Sequence, residues 1–218
     1  MELNIAQGIT YYVVLLFSLS FHESAHAWAA LQMGDDTAAR EGRISLNPLV
    51  HIDPIGTVLL PLIMFVSSGS PLFGWAKPTP YNPANFRRDR TIASGHVMVA
   101  AAGPVSNLIL AVLFTAALFL VWRIAEIHSP THPAVKIPLA GVHINVLLAV
   151  FNLVPLPPLD GSKVAAWGLP RSLADAYVRV MEPYGTWILL ILFATGMLNV
   201  LVGPLTFLLT RLLLAVVG

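Results

Sequence analysis

Two histidines four residues apart, with a glutamate directly after the first, interrupt an apolar run near the amino terminus: Phe21-His22-Glu23-Ser24-Ala25-His26. On a helix, residues i and i+4 share a face, so His22 and His26 can offer imidazole nitrogens to one metal ion. Glu23 lies beside them, where a carboxylate can act on a water held by that ion. If the helix ends near Gly34, His26 lies about 12 Å from its end at about 1.5 Å per residue. Ionisable side chains that deep in lipid are costly and default to a functional reading. The alternative, two histidines bonded to carbonyls or to a neighbouring helix, leaves Glu23 without a reason.

Two histidines make an incomplete zinc site, since a catalytic zinc usually has three protein ligands and one open position. Asp35, Asp36, Asp53, Asp89 and Asp175 lie in polar stretches and read as solvated turns or helix ends. Asp160 differs, because it closes Phe151-Asn-Leu-Val-Pro-Leu-Pro-Pro-Leu-Asp-Gly161 directly after an apolar segment. Pro155, Pro157 and Pro158 cannot continue a regular helix. Irregular backbone at membrane depth is tolerated only where protein buries it or it lines a water-filled cavity. Asp160 is therefore a credible third ligand, although taken alone it reads equally well as an ordinary turn aspartate.

The elements that must position these residues are membrane helices. Of 218 residues, 56% are hydrophobic and 11% charged, with a mean hydropathy of +0.76. So few charges cannot cover a water-exposed globule, so the lipid bilayer is the expected surroundings. A net charge of +1 offers no field for nucleic acid, which is excluded as a partner, and zero cysteines exclude disulfides and thiolate ligands. The start, MELNIAQGIT, lacks a basic signal-peptide region and is read as part of the mature protein. Apolar segments fall at about 5–33, 55–73, 93–122, 137–158 and 185–217, the last divided by Gly203-Pro204. The expected fold is an all-α polytopic membrane protein of about five to six hydrophobic helical segments, with a re-entrant segment and short membrane-surface strands. Short strands or turns are expected within 40–54 and 74–83, which are polar, Pro-rich and partly alternating. The chain reads as one unit over 1–218, with a catalytic core of about 8–165 and helical segments at about 185–217.

The segment 55–73 is short and dissolves into Ser, Gly and Pro. If it spans, Lys77, Arg87, Arg88, Arg90, Lys163, Arg171 and Arg179 face Arg40, Arg43, Arg123 and Lys136 across the bilayer. If it dips in and returns, Arg40 and Arg43 join the first group, giving nine against two. Cytoplasmic loops carry the excess of Lys and Arg, so the re-entrant arrangement is preferred. It puts the amino terminus outside and residues 34–92 and 161–184 in the cytoplasm of a multi-pass cell-membrane protein.

Together these residues resemble the site-2 protease family of intramembrane zinc metalloproteases. The resemblance is carried by FHESAHAWAA (21–30), AAGPVSN (101–107) and NLVPLPPLDG (152–161), in family order and each in a hydrophobic segment. GRISLNPLVHIDPIGTVLLPL (42–62) is similar to the compact bacterial and archaeal branch without a PDZ domain. The resemblance implies one zinc per chain held by His22, His26 and Asp160, with Glu23 as general base. It implies substrate contacts by Asn152, eight residues before Asp160, and by Asn107 of the Gly103-x-x-x-Asn107 pattern. For each asparagine the alternative is an interhelical hydrogen bond without a catalytic role. The implied activity is hydrolysis of a peptide bond within or near a transmembrane helix of a membrane-protein substrate, with the active site towards the cytoplasm, in regulated intramembrane proteolysis. A regulatory membrane partner is left open. Edges at 42–47 or 74–80 and the carbonyls of 153–158 are candidates for holding an unwound substrate by strand addition.

Other readings fit less well. Ser94-Gly95-His96 invites a serine hydrolase, but Ser and His two apart on a helix point to different sides, and no Gly-x-Ser-x-Gly elbow occurs. A metal transporter would string ligands along a pathway, and many such folds carry an inverted repeat. A non-catalytic relative would be expected to have lost Glu23 or Asp160. His128 and His132 read as loop histidines, His143 and Asn145 as bundle-interior polar residues, and His51 beside Asp53 as a turn cap.

Overall fold

A computed structural model describes residues 5–68, 74–89 and 91–217. Residues 69–73 of the second apolar segment, and Arg90 of the charge comparison, lie outside the described residues.

The chain is an all-α polytopic membrane protein. Among the described residues, four helices are long and apolar enough to cross a bilayer: α1 (Ile5–Met33), α4 (Ile92–Arg123), α5 (Pro133–Asn152) and α8 (Met197–Leu214). Between α1 and α4 come the single-turn α2 (Thr37–Arg40), a 3-10 turn at Pro48–His51, a π-helical turn at Pro54–Leu59, α3 (Leu60–Ser68) and a second 3-10 turn at Pro83–Asn85. After α5, the chain forms α6 (Asp160–Gly168) and α7 (Arg171–Ala194) before α8. The bundle exposes side chains such as Val200 (76%) and Trp187 (67%), apolar surface of the kind a bilayer covers.

Helices α1, α4 and α5 pack most closely on one another and form the frame; α6 rests on α4 and α8 on α5. Val14, Leu15 and Leu19 of α1 interlock with Ala140, Ile144 and Leu148 of α5. Ala29, Ala30 and Met33 meet Val99 and Phe86 at the other end of α1. Ala111, Val142, Val146 and Val150 join Leu198 and Val202 into the largest cluster. With little hydrophobic drive between helices in lipid, small and β-branched residues at these seams let the backbones approach.

The apolar stretch from Pro54 to Ser67 is a short helix, well under the length of the four spanning candidates. Asp53 starts it, accepting hydrogen bonds from the N–H groups of Ile55 (3.0 Å) and Gly56 (2.7 Å), and Pro54 sits where no donor is needed.

Two expectations require correction. The short membrane-surface strands are absent among the described residues. Residues 74–82 are extended, but 42–54 curl into turns rather than supplying a ladder. Two backbone bonds tie the segments, Lys77 N–H to the His51 carbonyl (2.8 Å) and Trp75 N–H to the Gly56 carbonyl (3.2 Å). Pro48, Pro54, Pro78 and Pro80 remove the donors a strand pair would need. The last apolar run is also divided elsewhere than at Gly203-Pro204. Helix α7 ends at Thr195-Gly196, where Gly196 adopts a φ of +73° that side chains disfavour, and α8 continues through Pro204.

Candidate metal centre

The motif 21–26 lies mid-helix in α1, and α4 crosses it so closely that position 103 has no room for a side chain. A Cβ on Gly103 would sit 2.6 Å from His22 Nε2 and collide with His26 Nε2 as well. Both imidazoles are buried. Each is oriented through Nδ1: His22 bonds Asn107 Oδ1 at 2.6 Å and His26 bonds the Val99 carbonyl at 2.7 Å. A carbonyl oxygen only accepts, so Nδ1 of His26 carries the hydrogen and Nε2 presents a lone pair. The two Nε2 atoms stand 3.0 Å apart.

Asp160 comes from α6. After α5 the run Leu153–Leu159 turns back through bonds from Val154 N–H to Phe151, Leu156 N–H to Val154 and Leu159 N–H to Leu156. This delivers Asp160 as the first residue of α6, buried, with Oδ2 3.3 Å from His22 Nε2 and 3.2 Å from His26 Nε2. Four donors at about 2.0–2.1 Å from a tetrahedral zinc stand about 3.3–3.4 Å from one another. The three observed separations fall within a few tenths of an ångström of that edge. Nitrogen and carboxylate donors with their lone pairs converging, and the outer imidazole nitrogens tied to oxygen acceptors, form a set suited to zinc.

Glu23 also brings a carboxylate oxygen within 4.8 Å of the histidine nitrogens. Its carboxylate is held by another partner. Thr79, on the extended segment, donates its backbone N–H to Glu23 Oε2 at 2.8 Å and its hydroxyl to the Glu23 carbonyl at 2.9 Å. Asp160 is thus the closer third donor, and Glu23 stands to one side with one carboxylate oxygen engaged.

All four residues line a cavity of about 640 Å³. The short helix (Ile55, Leu59, Leu60, Ile63) and α7 (Thr186, Leu189, Leu190, Phe193) both line it. The extended segment contributes Trp75, Ala76, Pro78, Thr79 and Tyr81. Asn152 lines the same cavity near Asp160, with its amide donating to the Leu148 carbonyl at 3.0 Å. Asn107 is fully buried, bonded to the His22 ring, and is not among the residues that line the cavity. Lys163, one turn after Asp160, lines the cavity with its ammonium 5.5 Å from the Tyr81 ring centroid.

The remaining polar residues fall elsewhere. His96 bonds the Tyr81 hydroxyl at 3.0 Å and packs on Phe86, away from any serine partnership. His51 is buried, bonding the Ser45 carbonyl at 2.8 Å, and is not a turn cap. His132 caps α5 and His128 packs edge-on against Trp122. Asp35 departs most from the solvated turn expected of it. It is fully buried and accepts from Thr37 N–H (3.2 Å), the Thr37 hydroxyl (2.5 Å), Asn82 N–H (2.6 Å) and Asn85 Nδ2 (2.8 Å). Burial by itself would raise its pKa, but the bonds from Thr37, Asn85 and Asn82 hold the carboxyl below its usual range. Asp35 thereby ties the end of α1 to the far end of the extended segment that Thr79 fastens to Glu23. Sequence reasoning missed Thr79 and undervalued Asp35; neither carries a spacing pattern that would single it out.

Similarity to known proteins decides the family. The chain is 36% identical over 194 residues to a Bacillus subtilis protein provisionally named zinc metalloprotease YwhC, covering 88% of this chain and 83% of that one. The chain belongs to the zinc metalloprotease family of YwhC. It is 29% identical over 188 residues to zinc metalloprotease Rip2 of Mycolicibacterium smegmatis, likewise a provisional name, covering 84% of this chain and 66% of Rip2, just under two thirds. A shorter stretch of 69 residues is 39% identical to MJ0611 of Methanocaldococcus jannaschii, provisionally a zinc metalloprotease too, and covers 32% of each chain. No family model matches the chain, and no solved structure matches it significantly.

Proposed function

We propose that this zinc metalloprotease is an intramembrane enzyme of the site-2 protease type, hydrolysing a peptide bond within or near a transmembrane segment of a membrane-protein substrate. The observation that carries the reading is the convergence of His22 Nε2, His26 Nε2 and Asp160 Oδ2, within 3.3 Å of one another, on the wall of an apolar cavity inside a helical bundle.

His22, His26 and Asp160 would hold one zinc. When bound, zinc supplies polarisation of the scissile carbonyl and acidification of water. Glu23 is the general base. With Oε2 occupied by Thr79, Oε1 accepts the proton of the attacking water as the new C–O bond forms. Glu23 then returns that proton to the amide nitrogen as the C–N bond breaks. Asn152 offers its amide to the substrate backbone from the cavity wall, and Asn107 holds the His22 ring. A substrate helix hides its carbonyls in i→i−4 bonds and must unwind before cleavage. The segment 74–82, whose prolines and engaged N–H groups leave it mainly carbonyl acceptors, is the surface against which an unwound strand would lie.

A re-entrant segment 55–73 would put nine Lys and Arg on one side and two on the other, which supports an amino terminus outside and a site towards the cytoplasm of an inner or plasma membrane. A single-span regulator fits this reading as substrate. The test is cleavage of single-span reporter proteins co-reconstituted with the purified protein in lipid vesicles. Cleavage inside the reporter's membrane segment by wild type, lost in Glu23→Gln, is expected. Cleavage only of soluble peptides, or undiminished cleavage by Glu23→Gln, would refute it.

A further inference from the structure

Behind His22 the hydrogen-bonding atoms continue inward. Asn107 receives the His22 ring through Oδ1, and its own Nδ2 donates to Asn145 Oδ1 on α5 at 2.9 Å. Asn145 Nδ2 in turn donates to the Gly141 carbonyl and to Ser18 Oγ, both at 2.9 Å. A weaker bond runs from Asn107 Nδ2 to the Ser18 carbonyl at 3.5 Å. Asn107, Asn145 and Ser18 are all fully buried, so no water can substitute for a missing partner.

The chain of bonds has a direction, and a backbone carbonyl sets it. Gly141 O can only accept, so the amide edge of Asn145 facing it must be NH₂. That turns Asn145 Oδ1 towards α4, where it can only accept, so the edge of Asn107 facing it must be NH₂ as well. Asn107 Oδ1 is then left for His22, where it requires a hydrogen on Nδ1. Were Asn107 reversed, its NH₂ would demand a lone pair at Nδ1, and the ring hydrogen would move to Nε2, between His26 and Asp160. His26 needs no such relay, because its Nδ1 meets the Val99 carbonyl directly.

We propose that Asn145 is a positioning residue for the metal site, selecting the tautomer of His22 through Asn107 so that Nε2 presents its lone pair. The proposal rests on the reading of His22 as a zinc ligand. It assigns a function to an α5 residue that touches neither the cavity nor the ligand itself. Outer partners of metal-bound histidines matter for affinity by about ten- to a hundredfold, and a residue one step further out belongs at the lower end, about tenfold.

The experiment is zinc affinity of the full chain in detergent, by competition with a chelating dye after metal stripping. Wild type, Asn145→Leu, Asn107→Ala and the double variant are compared, with thermal unfolding of each zinc-free form. Asn145→Leu should bind zinc about tenfold more weakly. The double variant should bind no more weakly than Asn107→Ala alone, because Asn145 acts only through that residue. Unchanged affinity in Asn145→Leu would overturn the proposal, as would the same loss repeated in the Asn107→Ala background. If Asn145→Leu fails to accumulate, Asn145→Ala, which removes the same groups without added bulk, is held to the same outcomes. Wild type that binds no zinc would overturn the metal site and the relay together; zinc-binding wild type with an unaffected Asn145 variant overturns the relay alone.

Discussion

Thr79 grips Glu23 at two points, its N–H on the carboxylate (2.8 Å) and its hydroxyl on the main-chain carbonyl (2.9 Å), although 56 residues separate them. The glutamate of the metal-site motif is thus located as much by the extended segment as by its own helix. The two contacts can be separated. Thr79→Val removes the hydroxyl and keeps the N–H, and should lower cleavage by less than about tenfold. Thr79→Pro removes the N–H and should lower it by more, with zinc content unchanged in both. Steady-state cleavage alongside elemental analysis reads the difference; zinc loss in either variant would show that the segment supports the ligands instead.

Glu23→Gln keeps the shape of the side chain and removes its basicity. Zinc should remain at one per chain while turnover falls by about a hundredfold or more, the range expected for general acid–base catalysis. Zinc analysis and reporter cleavage on the same preparation check both halves.

Asp160→Ala leaves two histidines and no third donor. Zinc should be largely lost on dialysis, and a chelator should inactivate wild type reversibly, with activity returning on zinc addition. Retention of zinc in the variant would move the third ligand to another residue.

Gly103→Ala places a methyl against both Nε2 atoms. Ordinary helix propensity would make Gly→Ala favourable by about 1 kcal/mol. Here the clash with two buried, hydrogen-bonded imidazoles should outweigh that gain, lowering the thermal stability of the zinc-free protein by about 1–3 kcal/mol and weakening zinc binding at least about tenfold. Titration of metal-stripped protein reads the affinity.

Asp35 gives a pH dependence. Its folded pKa lies below the unfolded value, so its contribution to stability is present above about pH 4. That contribution is lost as pH falls through the lower folded value. Asp35→Ala strands several buried donors and should cost about 2–4 kcal/mol at neutral pH. Unfolding curves in detergent from pH 7 to pH 3 should show wild type converging on the variant in acid.

Much of the site is legible from the sequence because its parts follow helical spacing: His22 and His26 at i and i+4 need only a helix to share a face. The proline run before Asp160 likewise announces irregular backbone next to a carboxylate. What escaped is held by contacts without periodicity. Thr79 acts through two bonds across 56 residues and Asp35 through bonds across 47 and 50, and nothing in their neighbours in sequence marks them. The strands expected at 40–54 and 74–83 do not form, because the prolines there deprive an edge of donors whatever the alternation of side chains. The division of the last apolar run was misplaced because Gly-Pro is a strong helix breaker in water, whereas in a membrane bundle Pro204 is accommodated within α8.

Gly103 is followed by Pro104, so the two residues least suited to helical conformation stand together in the middle of α4. In an isolated helix in water that pair would cost about 4 kcal/mol relative to alanine. The stretch of α4 pressed against the imidazoles is therefore the part that depends most on its neighbours for its shape. A solvent that loosens the bundle, as a harsh detergent does, would fray α4 there first and slacken the histidine pair while most of the helical content survives. Circular dichroism would then overestimate how much working enzyme a preparation contains.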